Sequence, residues 1–270
     1  MSKDSPLKAL IVVLAVSLAC SVLVSTASIM LKPIQVLNQK VERSRNIVAL
    51  TGLAAVDKEL SNDEILQVVE QLDVRILNID TGEFDTSIDP GKFDQRAAVN
   101  NPELSIAIPP ADDLAKLGRR TRFAIVYLVW NGDELKRIIL PIHGQGMWST
   151  LHGLLALEAD LNTVAAVTFY EQGETAGLGD QITRPDWQAK WQGRQLFDNQ
   201  GEVRFRVAAG SVAEGSAARH QVDAMSGATV TGDAVTRLVE FWFGPQGYQA
   251  FLKNLEKQPP VRMVKERAQT

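Results

Sequence analysis

The chain has 270 residues, 45% of them hydrophobic and 22% charged, proportions that exclude a disordered chain or a repeat array and lead to an expectation of one or two compact units. A net charge of -4 gives no basic field for a phosphate backbone, and no Lys/Arg cluster is interleaved with aromatics, so nucleic acid is not an expected partner. One cysteine, Cys20, and three histidines, His143, His152 and His220, with no His-x-x-x-His pair, are too few for a disulfide framework, a zinc site or a self-contained iron-sulfur cluster, and no metal site is expected.

From Ala9 to Leu31 the chain runs without a charge for about 23 residues, and at roughly 1.5 Å per residue a helix of that length crosses a bilayer core. A secretory signal peptide is the competing reading, with Ser25-Thr26-Ala27 as its cleavage site. The apolar run exceeds the roughly 7 to 15 residues of a signal core, which favours an uncleaved single-pass anchor over residues 1–32. Lys3 and Lys8 precede it while Lys32, Lys40, Arg43 and Arg45 follow it. This balance does not decide sidedness, because the positive-inside rule is weak when a whole domain follows. The span carries no Asp, Glu, Lys, Arg or His, so it cannot by itself move an ion and reads as an anchor and docking surface.

Past Pro33, the spacing of Ile34, Val36, Leu37, Val41, Ile47 and Val48 predicts an amphipathic helix ending near Thr51-Gly52, so 33–60 reads as a helical connector and 61–270 as the soluble region. Ser61-Asn62-Asp63-Glu64 starts a second helix through Ile65, Val68, Val69 and Leu72, and Val74 to Ile79 reads as a strand. Phe123 to Trp130, Asn131-Gly132 and Leu135 to Ile142 predict an antiparallel hairpin on a tight type I′ turn. Met147 to Leu157 has a helical pattern, Thr163 to Tyr170 is strand-like and Asp186 to Trp191 is a short helix. Val203 to Val207 is a further strand, bounded by the Asp198–Gly201 turn. Thr229 to Trp242 is a helix stopped by Gly244-Pro245, with a last helix through Tyr248, Phe251 and Leu252. Without regular strand-helix alternation, this mixture predicts an α+β fold.

No Walker A loop, His-Glu-x-x-His or Gly-x-Ser-x-Gly occurs, and Gly144-Gln145-Gly146 lacks the third glycine of a dinucleotide fingerprint, so NADH is expected to bind elsewhere. Asp223-Ala224-Met225-Ser226-Gly227-Ala228-Thr229-Val230-Thr231 puts small residues and three hydroxyls where a helix begins. The free N–H groups and positive dipole end there stabilise a phosphate. On physics alone the competing reading is that Ser226 or Thr229 simply caps the helix.

The pattern Asp-x-x-Ser-Gly-Ala-Thr-x-Thr resembles the flavinylation motif of the FMN-binding domain family, whose last threonine is esterified to FMN; here it is Thr231. Tyr170-Glu171-Gln172-Gly173-Glu174-Thr175-Ala176-Gly177-Leu178-Gly179 is similar to the Glu-Thr-Pro-Gly-Leu-Gly loop of the same family, with Ala176 in place of proline. Two such motifs about 50 residues apart and in the family's order are far more specific than either alone. Gly146-Met147-Trp148-Ser149-Thr150, Leu154 to Glu158, Trp187, Trp191 and the single span extend the likeness along most of the chain, to the C subunits of sodium-translocating NADH:quinone oxidoreductases. The FMN-bearing subunits of Rnf-type complexes share the threonine motif and the anchor.

The resemblance implies an oxidoreductase subunit of a bacterial inner-membrane complex, with a periplasmic soluble region whose FMN-binding domain covers about 140–258. It implies FMN bound covalently by phosphoester to Thr231, attached by a separate flavin transferase from FAD, relaying electrons between neighbouring subunits that handle NADH, quinone and sodium. No catalytic residue is assigned to this chain. Ser226, Gly227, Ala228 and Thr229 are expected around the phosphate and ribityl chain, Thr175, Gly177 and Leu178 against the ring, and Glu174 as a source of local charge. Trp148 is a further candidate contact, weighed against core packing. His152 and His220 read as structural or surface residues. A flavin-free, anchored assembly module is the alternative from another functional class.

Overall fold

The apolar N-terminal stretch and the amphipathic stretch after it form one helix, α1 (Pro6–Thr51), in the computed structural model, which describes residues 6–53, 60–70, 72–212 and 215–263. Its Pro6–Gln35 portion is long and apolar enough to cross a membrane, and fits a single-pass protein. The expected connector continues this helix to Thr51, and residues 54–59 lie outside the described part. Met1–Arg45 and Asn46–Thr270 form two separate units.

In the second unit, α2 (Asn62–Glu70) opens on a reciprocal cap. The Ser61 N–H donates to Glu64 Oε2 at 2.8 Å and the Glu64 N–H to Ser61 Oγ at 3.3 Å, which satisfies a donor at each end of the first turn. Leu72, expected on this helix, lies beyond its end and is buried in the core. Then come β1 (Asp73–Asn78), β2 (Glu83–Asp85), α3 (Gln95–Ala98), β3 (Ser105–Ala107), β4 (Arg119–Thr121), β5 (Phe123–Asn131), β6 (Glu134–Gln145), β7 (Thr150–Glu158) and β8 (Val164–Glu171). The main sheet has six antiparallel strands in the order β2-β1-β5-β6-β7-β8, and β3 and β4 pair separately.

The β5–β6 hairpin forms, but not on a type I′ turn. Asn131 pairs with Glu134, so Gly132 and Asp133 are the central residues, and only Gly132 has a positive φ, +62°. A positive φ confined to the first central residue is the pattern of a type II′ turn. Continuing the Tyr127–Ile139 register would put Asn131 opposite Leu135 across three residues, and the shift between Val129 and Trp130 closes the loop to two, Gly132 and Asp133.

The stretch from Met147 to Leu157, expected as a helix, is a turn followed by β7. Leu155 pairs with Leu140 of β6 and Val167 of β8. Both faces of the sheet are covered: Leu151, Leu155 and Leu157 enter one core, and Leu154 and Ala156 the other. Apolar residues therefore stand at consecutive positions, and the period-two alternation that marks a half-buried strand is lost. β5 alternates in the same way, with Ala124, Val126 and Leu128 in one core and Ile125, Tyr127 and Val129 in the other.

Beyond β8 lie α4 (Pro185–Ala189), the short parallel pair β9 (Arg206–Val207) and β10 (Gln221–Val222), then α5 (Thr229–Phe243) and α6 (Gln249–Lys257). The expected Val203–Val207 strand shortens to Arg206–Val207. Val203 bridges to Phe197 across the Asp198–Gly201 turn, and the Arg204 and Phe205 N–H groups then both turn to the Leu196 carbonyl.

Helix α5 is seated on β6. A Cβ at Gly144 would lie 3.3 Å from Leu238 Cβ, so the glycine lets the helix approach the strand. Trp242 Nε1 donates to the His143 carbonyl at 2.6 Å and the Tyr248 hydroxyl to the Pro141 carbonyl at 2.6 Å. Both rings are fully buried, so these bonds satisfy polar atoms that water cannot reach. Together they fix the C-terminal end of α5 and the turn after it on β6.

Candidate functional site

Three segments far apart in sequence meet at the start of α5: the 146–149 turn between β6 and β7, the 172–179 segment after β8, and the 223–231 motif. Glu174 joins them. Its Oε1 accepts the N–H groups of Trp148 at 3.0 Å and Ser149 at 3.3 Å; its Oε2 accepts the Met147 N–H at 3.2 Å and the Thr231 hydroxyl at 2.6 Å. Glu174 is 8% exposed and Thr231 2% exposed. Burial raises the Glu174 pKa, but the Thr231 hydroxyl and the three backbone N–H groups more than offset it, so the carboxyl sits below its ordinary value and stays ionised at neutral pH.

Two glycines make room for this pair. A Cβ on Gly146 would lie 2.6 Å from Glu174 Oε1, and one on Gly179 would lie 2.7 Å from both Thr231 Oγ1 and Glu174 Cβ. Real Cβ atoms essentially never come so close to another heavy atom, so any side chain would displace the carboxylate or the hydroxyl. Gly227 has a φ of +74°, and a Cβ there would meet Leu178 Cδ2 at 2.8 Å. Gln181 reinforces this contact, its Nε2 donating to the carbonyls of Gly177 at 3.3 Å and Ser226 at 3.1 Å.

Neither Ser226 nor Thr229 caps α5. The residue before the helix is Ala228, which makes no side-chain cap bond, and among the described residues no side chain accepts from the first turn. The first backbone bond of the turn runs from the Gly232 N–H to the Ala228 carbonyl at 2.9 Å, leaving Thr229, Val230 and Thr231 without intrahelical acceptors. Thr229 and Val230 are exposed, so the positive end of a 15-residue helix faces outward beside the Thr231 hydroxyl. This donor set suits an anion such as a phosphate.

Around it the surface is apolar. Met147, Trp148, Leu178 and Val230 are all exposed, Trp148 by 65%. Core packing, the competing reading of Trp148, does not hold; its backbone N–H serves Glu174 while its indole stands clear. Thr175 and Gly177 are exposed on the same turn as Leu178, the Leu178 N–H donating to the Thr175 carbonyl at 3.1 Å. An uncapped helix start, a buried hydroxyl on a carboxylate and an exposed apolar rim fit FMN, whose phosphate is anionic and whose ring is flat and largely apolar.

Asp223, the first residue of the motif, has a tethering role. Its carboxylate accepts from Lys190 Nζ at 2.7 Å and from the Val212 N–H at 2.7 Å, and its carbonyl from Trp187 Nε1 at 3.1 Å. The Lys190 bond is the main reason its pKa lies below the ordinary carboxylate value. His152 stacks on His143 with ring centroids 5.5 Å apart, and His220 Nδ1 lies 2.9 Å from the Gln195 carbonyl. Gly144, Gln145 and Gly146 sit in a strand-turn-strand setting instead of the strand-turn-helix of a dinucleotide loop.

Sequence reasoning brought together Glu174, Thr175, Gly177, Leu178, Ser226, Gly227, Ala228, Thr229, Thr231 and Trp148, and the structure places them all in this region. It missed Gly146, Gly179, Gln181 and the amides of Met147 and Ser149. The amides carry no side-chain signal, and a glutamine bridging two carbonyls follows no motif. Gly146 and Gly179 lay inside quoted motifs, but their role appears only once the distances to Glu174 and Thr231 are known.

Residues 146–244 match the FMN-binding domain family. Over 258 residues the chain is 41% identical to the C subunit of the Na(+)-translocating NADH-quinone reductase of Pseudomonas aeruginosa, covering 95% of this chain and 98% of that protein. It is 41% identical over 255 residues to its counterpart from Neisseria meningitidis, covering 94% and 96%. The crystal structure of Shewanella oneidensis NqrC, 37% identical, superposes with a TM-score of 0.73 over 80% of this chain and 97% of that one. This extent of identity and fold leaves one conclusion: the chain belongs to the family of the Na(+)-translocating NADH-quinone reductase C subunits and contains an FMN-binding domain.

Proposed function

We propose that this chain carries FMN as a phosphoester on Thr231 and relays electrons between redox centres of neighbouring subunits in a sodium-translocating NADH:quinone oxidoreductase. The observation that carries this reading is the Thr231 hydroxyl, held on Glu174 at the open N-terminal turn of α5 and surrounded by an apolar rim. The flavin ring supplies the redox chemistry when bound. The chain's own residues hold and orient it.

In this reading the N–H groups of Thr229, Val230 and Thr231 stabilise the phosphate, with Ser226, Gly227 and Ala228 forming the adjoining wall. Thr175, Gly177, Leu178 and Trp148 lie against the ring, and Glu174 contributes a negative charge beside it. Residues 1–32 are the anchor, 33–60 the connector, and 61–270 the soluble region with its FMN-binding domain at about 140–258. That region lies in the periplasm, facing away from the cytoplasmic side of the bacterial inner membrane. A flavin transferase attaches the FMN after export. A covalent tether suits a carrier that must exchange electrons with more than one partner without losing its cofactor.

The sodium-linked reading is favoured over an Rnf-type one by relatives of that name at 41% identity across nearly the whole chain. Mass analysis of the Thr231 peptide tests the attachment. A gain of one FMN less water, absent from Thr231→Ala, is expected; an unmodified Thr231 in cells that contain the transferase contradicts it.

A further inference from the structure

We infer that Glu174 is this chain's own base for flavin attachment, orienting the Thr231 hydroxyl and taking its proton as the phosphoester forms. The inference rests on the reading of Thr231 as the attachment point. It extends that reading by giving the acceptor protein, and not only the transferase, a chemical part in the transfer.

A threonine hydroxyl is a weak nucleophile at neutral pH, and activation requires a base within about 2.6–3.2 Å. Glu174 Oε2 lies 2.6 Å from Thr231 Oγ1 and is the acceptor of that hydroxyl. The carboxylate is aimed from the opposite side by the amides of residues 147–149. A buried carboxylate is costly unless its lone pairs are satisfied, and here two amides satisfy Oε1 while one amide and the Thr231 hydroxyl satisfy Oε2. Gly146 keeps the space beside Oε1 clear of a side chain, and Gly179 does the same beside Oε2 and Thr231 Oγ1.

In the transfer, Thr231 Oγ1 attacks the flavin-side phosphorus of FAD, the co-substrate brought by the transferase. The Oγ1–P bond forms, the pyrophosphate P–O bond breaks, and AMP leaves with the bonding electron pair. The hydroxyl proton passes to Glu174 and then to solvent or to the departing AMP. No electron is exchanged. Since Thr231 is 2% exposed with Gly179 packed on it, the 175–179 turn draws back for the reaction. The carboxylate keeps its place because its amide donors belong to the 147–149 turn.

The test uses full-length protein purified in detergent from cells lacking the transferase, then incubated with transferase and FAD. Attachment is followed by intact mass and in-gel flavin fluorescence. Glu174→Gln is expected to slow attachment by about 100-fold or more, the lower range for loss of a general base, with the melting temperature measured alongside. The ratio of wild-type to variant rate is expected to shrink at acid pH, as Glu174 becomes protonated. Glu174→Asp, which keeps a carboxylate, is expected to retain roughly a tenth of the wild-type rate, on the same reasoning.

A wild-type rate in Glu174→Gln, or a rate ratio that does not change with pH, overturns the inference. So does a Glu174→Asp protein as slow as the Gln variant is expected to be, and this arm decides the matter if Glu174→Gln does not fold. Wild-type protein that takes no flavin at Thr231 overturns the attachment reading itself. Equal modification of wild type and Glu174→Gln overturns only the role of Glu174.

Discussion

Glu174 and Thr231 are 57 positions apart in the chain, and the hydroxyl of the second donates to the carboxylate of the first at 2.6 Å. The bond ties the segment after β8 to the first turn of α5. It exists because β6, β7 and β8 are consecutive antiparallel neighbours, and because α5 packs on β6, where Leu238 meets Gly144. Sheet register therefore sets the geometry of the site.

Gly179→Ala should damage the site more than a one-methyl change on an open turn would. The added Cβ would lie 2.7 Å from Thr231 Oγ1 and Glu174 Cβ, so the pair must separate or the backbone must move. Overpacking of this kind costs about 1–3 kcal/mol. Chemical denaturation should show that loss, with flavin attachment reduced in parallel. An unchanged stability and a normal flavin content would mean that the close approach is not real.

Tyr248→Phe removes the donor to the Pro141 carbonyl at the junction of α5, α6 and β6. Leaving a buried carbonyl without its partner costs about 1–3 kcal/mol. A fall of that size in unfolding free energy is expected, with flavin attachment retained because the N-terminal turn of α5 is distant in sequence from the lesion. A neutral substitution would argue against this bond as an anchor of the helix.

His143 makes stability depend on pH. Burial lowers its pKa from 6.5 to about 3, helped by the positive charges of His152, when protonated, and Arg96. Glu171 and Tyr170 also border the cluster, Glu171 paired to Arg96 at 2.7 Å and the Tyr170 ring 6.5 Å from His152. The folded pKa lies below the unfolded one, so between about 3 and 6.5 the unfolded chain binds more protons. The contribution is complete above pH 6.5 and is lost as pH falls through that window, at up to about 1.4 kcal/mol per pH unit. Wild type and His143→Gln should differ by a constant amount above neutrality, with the wild type losing ground below pH 6.5. Parallel stability curves down to pH 4 would contradict a neutral, half-buried His143.

The fold was most legible where one local force decides the structure. The charge-free run from Ala9 to Leu31, the Ser61–Glu64 box and the spacing of apolar residues in α5 each predict the element that forms. β7 was misread because its environment is apolar on both faces, so Leu154 and Leu155 look like one side of a helix until their separate cores are seen. The hairpin turn missed type I′ because the strands pair with Asn131 opposite Glu134, which closes the loop on Gly132-Asp133 and not on Asn131-Gly132. At the site, the hydroxyls and small residues could be read directly. The Glu174 bond could not, since it depends on the register of three strands and the seating of a helix, and no local pattern encodes either.

The most direct measurement is the intact mass of the full-length protein from cells that contain the flavin transferase, alongside Thr231→Ala and Thr229→Ala made the same way. The wild type and Thr229→Ala should each carry one FMN less water, with the mass located to the Thr231 peptide, and Thr231→Ala should carry none. Flavin retained on Thr231→Ala, or absent from the wild type, would contradict the assignment of Thr231 as the point of attachment.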